Sequence, residues 1–353
     1  MGRTASAEGL VLDARYRLTR LLKGGSGVDT YLAEDLESDR ALVVVKHVRS
    51  DQVPLAVRIR LEHEAAVLTR LEGETFRPLL ALDQDGDHLY LVQPHLPGQT
   101  LAERLATGPL SVASTLAVAT DVLAALQRVH EHDVLHRDLK PGNILVQGDE
   151  PLERAVLIDF GLARSASLDD DLKDEAVGTA RYLAPEQAGL TDEAVDERSD
   201  LYSLGAVLYE CLAGRPPFDG PTVGEVLRQH LGQQPAGLRA AGVGVPRALE
   251  AVVLRLLAKD PGQRYQSAGA ALADVEEGGR LPVPLHLRQG THRRLAREQG
   301  HGKGYLYPHD YPGADVEQQY LPDALVGKIY YEPSDQGMET QIGERLDRIR
   351  RQR

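Results

Sequence analysis

His136-Arg137-Asp138-Leu139-Lys140-Pro141-Gly142-Asn143 is the stretch on which the reading of this chain turns. Seven polar or turn-forming positions around one apolar Leu139 describe a loop, and the loop carries a carboxylate, an ammonium and an amide within six residues. Working outward, Asp159-Phe160-Gly161 follows Asp138 by 21 residues (159 minus 138), and Ala184-Pro185-Glu186 comes after that. Upstream lies Val43-Val44-Val45-Lys46, preceded by a glycine-rich turn, Leu22-Lys23-Gly24-Gly25-Ser26-Gly27. Taken singly, each of these residues has an ordinary structural role: an Asp in a loop caps a turn, and a Lys at a strand end is a solvated edge charge. Their order and spacing together carry the information.

The flanking pattern divides into two textures. From Arg15 to about Val92, short apolar or alternating runs (YRLTRLL, TYLAEDL, RALVVVKHV, HLYLVQPHL) are separated by turn residues and read as strands. Leu61, Ala65, Leu68 and Leu71 recur at helical spacing and predict one helix among them. From Thr100 the period becomes helical: SVASTLAVATDVLAALQRVHEHD, LYSLGAVLYECLAG and PRALEAVVLRLLAKDP each predict a helix, with Gly214 ending the second and Pro246 opening the third. NILVQ and RAVLIDF predict short strands between the first two.

Residues 15 to about 276 resemble a bacterial eukaryotic-type serine/threonine protein kinase, on the HRDLKPGN, DFG, APE and VVVK strings in their order and spacing. The resemblance implies an α+β, two-lobed kinase fold, with a β-rich N-lobe carrying one helix and a larger helical C-lobe. It implies ATP and Mg²⁺ as cofactors, and transfer of the γ-phosphate to Ser or Thr of protein substrates, autophosphorylation included. Asp159 would hold Mg²⁺ and Asn143 a second ion through its amide oxygen. Asp138 would accept the substrate hydroxyl proton, Lys140 would meet the γ-phosphate, and Thr179 would position the substrate. Lys46 would contact the α- and β-phosphates, oriented by Glu64 and less suitably by Glu62. Leu22, Gly24, Gly25 and Gly27 would cover the phosphates, and the Pro94 carbonyl and Leu96 N–H would bind adenine, with Gln93 as gatekeeper. Asp200, Glu186 and Arg264 resemble residues that hold the fold.

The chain departs from the family pattern at the glycine-rich turn. Leu22 replaces the first glycine, and Asp29 stands where a valine covers adenine, so a carboxylate near the triphosphate is expected to weaken nucleotide binding. The activation segment is acidic at Asp169, Asp170 and Asp171; either a carboxylate there substitutes for a phosphate opposite Arg137, or the loop is simply solvated.

The last 73 residues differ again. VPLHLR, GYLYPHDYPG, QQYLPD and YYEPSDQG resemble the C-terminal end of the replication-associated recombination protein A (MgsA, Werner-helicase-interacting) AAA+ ATPases, yet the G-x-x-x-x-G-K-[ST] of their motor is missing. The expected layout is a leader over 1–14, the N-lobe over 15–97, the C-lobe over 98–277 and this segment over 278–353. Self-association through the tail, recruitment of a replication or recombination partner, and a fusion remnant are the readings it allows.

Composition bounds the rest. Apolar residues at 42% and charged residues at 26% exclude a wholly disordered, collagen-like or coiled-coil chain. The net charge is -13, of which the tail from Leu281 contributes 11 minus 10, or +1, so direct nucleic-acid binding is not expected. Cys211 is the single cysteine, which excludes an intramolecular disulfide and suits a reducing, cytoplasmic setting. No run of 18 or more apolar residues predicts a membrane span. Two classes of function follow: an active protein kinase, or a pseudokinase scaffold that uses the same fold as an interaction module.

Overall fold

The computed structural model describes residues 7–24, 27–49, 53–70, 76–159, 173–189 and 191–280. Gly25, the activation-segment residues 160–172 with Asp169–Asp171, and the tail from residue 281 lie outside the described residues. Two compact units divide at Val275 and Glu276.

The N-terminal half of the first unit is a six-stranded antiparallel sheet in the order β1-β2-β3-β4-β6-β5, built from β1 (Val11–Leu12), β2 (Tyr16–Lys23), β3 (Asp29–Asp35), β4 (Ala41–Arg49), β5 (Ala81–Asp85) and β6 (His88–Pro94). β4 has buried positions from Val43 to Val48 without a break, because both faces of this central strand are covered. On the outer face Tyr16, Tyr31, Val43, Val45 and Tyr90 close a small core of their own. On the inner face Val48, Leu89 and Leu91 pack with Leu61, Ala65 and Leu68 of helix α1 (Leu55–Arg70), the residues whose spacing predicts that helix.

The C-terminal half is helical. After β7 (Gln99–Thr100), α2 (Leu101–Leu105) begins with a capping box in which the Thr100 hydroxyl accepts from the Glu103 N–H while the Glu103 carboxylate accepts from the Thr100 N–H. α3 (Val112–Glu131), capped by Ser111, packs against α5 (Glu197–Ala213) and β9 (Arg154–Leu157). By length and composition α3 could cross a bilayer, against the expectation from apolar runs alone. Here it is the apolar centre of the lobe, with Val118, Val122, Leu123 and Leu126 buried. β7, β8 (Ile144–Gln147) and β9 form a small sheet that carries the loop between α3 and β8. α5 is buried along nearly its whole length and ends at Gly214 with φ +68°, a left-handed cap that glycine adopts without Cβ strain. α4 (Lys173–Ala180), α6 (Val223–Gly232), α7 (Arg247–Leu256) and α8 (Ala268–Arg280) complete the lobe.

Candidate active site

Lys46 sits on the inner face of β4. Its ammonium is bonded to Glu64 of α1 and lies 2.8 Å from Asp159 Oδ1. Of the two glutamates that could orient it, Glu64 is buried and Glu62 exposed, because their two-residue separation puts them on different faces of α1. Burial alone would lower the Lys46 pKa, but the carboxylates of Asp159 and Glu64 outweigh it and hold the group charged. Burial likewise pushes Asp159 toward the neutral acid, and the charge of Lys46 more than reverses that, so Asp159 is an anion.

A second cluster lies on the loop between α3 and β8. The Lys140 ammonium is 3.0 Å from Asp138 Oδ2 and donates to the Thr179 hydroxyl at 3.3 Å. Asn143 donates from Nδ2 to the Asp138 carbonyl at 2.8 Å and to its carboxylate at 3.1 Å. Its amide oxygen is therefore turned to the other side. The loop is held from below by Asp200 of α5, whose carboxylate accepts the N–H groups of His136 and Arg137 at 2.9 and 2.8 Å and also bonds to His130 Nε2 at 2.9 Å. Arg137 has φ +60°, a left-handed conformation uncommon for a side chain with a Cβ, and the two Asp200 bonds fix it there. His130 is a partner of Asp200 that the sequence reading does not identify.

The glycine-rich turn corrects one expectation. Asp29 lies inside β3 directly opposite His47, while Thr30 faces Lys46 across the ladder. Cross-strand partners share a face and successive residues alternate. Asp29 is thus on the outer face, away from the inner face of Lys46, and the repulsion expected between it and a triphosphate loses its geometric basis. Val28 and Thr30 take the inner face instead. Leu22 falls at a bulge in β2 and is 43% exposed. Gly24 backs onto the Asp29 carboxylate, and Gly27, at φ +81°, lies over Val53 and Val57 at the start of α1.

At the other edge Pro94 pairs with Val43 at the end of β6, and the His95 N–H donates to the Leu42 carbonyl at 3.1 Å, which fixes the chain leading to Leu96. Gln93 is buried on the inner face, opposite Val44. Arg77, buried beside it, feels the charges of Asp159 and Glu64; burial lowers its pKa to about 10. It is a second cation at this site that sequence reasoning misses, although an Arg inside the otherwise apolar run Phe76 to Leu82 is its visible signal.

Beyond the site, Glu186 and Arg264 form a bidentate ion pair at 2.6 and 3.0 Å, with side chains 1% and 0% exposed.

A β-rich lobe carrying a Lys–Glu pair, set with a helical lobe carrying Asp159 and an Asp–Lys–Asn loop, is the architecture of a phosphotransferase. The chain belongs to the protein kinase family: the family described as protein kinase domain matches residues 17–274. A second family, described as MgsA AAA+ ATPase C terminal, matches residues 240–350 and so overlaps the first from residue 240. The serine/threonine-protein kinase PknB of Mycolicibacterium smegmatis is 37% identical over 294 residues, covering 78% of this chain and 45% of its own length. The serine/threonine-protein kinase pkn2 of Myxococcus xanthus is 36% identical over 269 residues, 74% of this chain and 32% of its own. The chain therefore spans less than half the length of these relatives. A double-mutant kinase domain of Mycobacterium tuberculosis PknI is similar in structure, with a TM-score of 0.58 at 26% identity over 78% of this chain and 99% of that one.

Proposed function

We propose that the chain is an active serine/threonine protein kinase that transfers the γ-phosphate of MgATP to protein hydroxyls. The observation that carries this reading is the Lys46 ammonium held between Glu64 and Asp159 while Lys140 and Asn143 converge on Asp138. Lys46 would bind the α- and β-phosphates as a fixed charge. Asp138, oriented by the Asn143 amide, would take up the proton of the attacking hydroxyl on its carboxylate. Lys140 would face the γ-phosphate and, through the Thr179 hydroxyl, keep the acceptor segment in register with it. The donor set fits Mg²⁺: Asp159 supplies an ionised carboxylate and Asn143 an amide oxygen turned away from its bonds to Asp138, both hard ligands. Bound there, the ion neutralises charge on the transferring phosphoryl group. The phosphate-covering role of Leu22, Gly24, Gly25 and Gly27, and adenine binding at Pro94 and Leu96, belong to the same reading.

The match of residues 240–350 to an ATPase C terminus supports a role for the tail in self-association or partner binding. Transfer of labelled phosphate from MgATP to the protein itself and to a basic substrate tests the kinase reading. Wild type should transfer, and Asp138→Asn should fall to background. A folded wild type without transfer would leave the interaction-module reading. Light scattering of the full chain beside a truncation after Glu277 tests the tail.

A further inference from the structure

β2 ends on Lys23, which pairs with Thr30 of β3, and Thr30 pairs in turn with Lys46 of β4. Partners across a ladder share a face, so the three residues form one row across the inner face of the sheet. The bulge at Leu22 is what brings Lys23 there. Leu21 lies opposite Tyr31, on the outer face, and plain alternation would return Lys23 to that same face; the extra residue turns it inward.

Lys23 and Lys46 stand two strand spacings apart, about 10 Å between their backbones. Their surroundings differ. The Lys46 ammonium is taken up by Glu64 and Asp159, whereas Lys23 is exposed and its ammonium makes no ion pair or hydrogen bond among the described residues. Asp29, the acidic residue of the turn, is on the outer face and does not pair with it. The charge of Lys23 acts on Asp159 beside that of Lys46, so the two cations border one space. A lysine at a strand end is ordinarily a solvated edge charge. This one is turned by a bulge onto the face that carries Lys46.

We propose that Lys23 binds the nucleotide polyphosphate, as a second ammonium set in a row with Lys46. This rests on the nucleotide reading above, in which the glycine-rich turn covers the phosphates. Main-chain N–H groups of such a turn carry partial charge only. Lys23 adds a full charge at the same place, on a four-carbon stem that lets the ammonium follow one phosphate oxygen or another. Lys46 shares its charge with two carboxylates, while the charge of Lys23 is left for the ligand.

Equilibrium dissociation constants for ADP and for adenosine, measured at one Mg²⁺ concentration, decide the point in wild type, Lys23→Gln and Lys23→Arg. Adenosine keeps the base and sugar without the phosphates, so the ratio of the two constants isolates contacts to phosphate. The preference for ADP should shrink about three- to tenfold in Lys23→Gln, the range for a charge-assisted bond at an exposed site. It should return in Lys23→Arg, which keeps the charge. The ratio is insensitive to the fraction of folded protein, so a loss of stability in either variant leaves it readable. An unchanged preference in Lys23→Gln overturns the role of Lys23 and leaves the nucleotide site standing. A loss that Lys23→Arg does not restore also overturns it, because the shape of the side chain and not its charge would then be at work. A folded wild type that binds no ADP overturns both readings.

Discussion

Arg264→Met should destabilise the C-lobe more than any surface change, and its size can be worked from the contacts. All the N–H groups of the guanidinium are used: two on the Glu186 carboxylate and the others on the carbonyls of Ala258, Arg198 and Lys259. Methionine keeps much of the volume and removes every donor. Glu186 is then a buried carboxylate left with the Ser199 hydroxyl, 2.7 Å away, and its own backbone N–H, neither of them a charge. Removing one member of a buried pair costs about 3–5 kcal/mol. For a unit of this size about 2–4 °C accompanies each kcal/mol, so Tm should fall by about 6–20 °C. Burial raises the Glu186 pKa, but the bonds to Arg264 outweigh it and hold the carboxylate below its usual range. A depressed carboxylate gives stability that is complete above its unfolded pKa, about 4.3, and is lost as pH falls through the folded one. The gap between wild type and Arg264→Met should therefore be full at pH 7 and narrow on acidification. Circular dichroism melts suit the chain, which has no Trp. Glu186→Met/Arg264→Met, which strands no charge, should recover part of the loss. A single variant within about 1 kcal/mol of wild type, or a double variant at the sum of the two singles, would refute the argument.

Lys46→Met should lower kcat/KM for ATP by about 100- to 1000-fold, the usual cost of removing a preorganised charge from a reacting phosphate, as read by steady-state transfer. Gly205→Ala should cost about 1–3 kcal/mol in a thermal melt, because a Cβ there would stand 2.8 Å from Leu256 Cβ and 3.2 Å from its carbonyl carbon. The Lys259 ammonium lies over the Phe218 ring, and burial lowers its pKa to about 7. The unfolded chain then binds more protons between about pH 7 and 10, so this group makes stability rise with pH across that window. Lys259→Met should flatten the rise, seen as a smaller change in Tm from pH 7 to 10. Cys211 is fully buried and its thiol pKa is raised by that burial, so a thiol reagent should label it only after denaturation.

Much of the architecture was legible because it rests on periodicity. The spacing of Leu61, Ala65 and Leu68 gives α1 and the face it buries, and Ser111 and Gly214 mark ends of α3 and α5. α6 is not legible in the sequence, since its short amphipathic run between Thr222 and Gln233 carries few large apolar residues. In the site, the motif string names the polar groups that converge on Asp138. What it could not give is orientation. Asp29 and Val28 exchange faces with a shift of one residue in strand register, and the sequence does not fix where β3 begins. The burial of Arg77 depends on contacts between segments distant in sequence, which local pattern does not encode.

The two N–H groups that Asp200 accepts belong to a surface-directed loop but answer to a buried helix. Amides of that kind exchange with solvent only when their acceptor moves away, and Asp200 moves only if α5 leaves the centre of the lobe. The left-handed step at Arg137 is therefore tied to the helix that holds it, and Asp138 inherits its positional precision from a helix buried along nearly its whole length. Heat should then silence the loop and melt the C-lobe as one event, with no window in which a folded lobe carries a slackened catalytic loop.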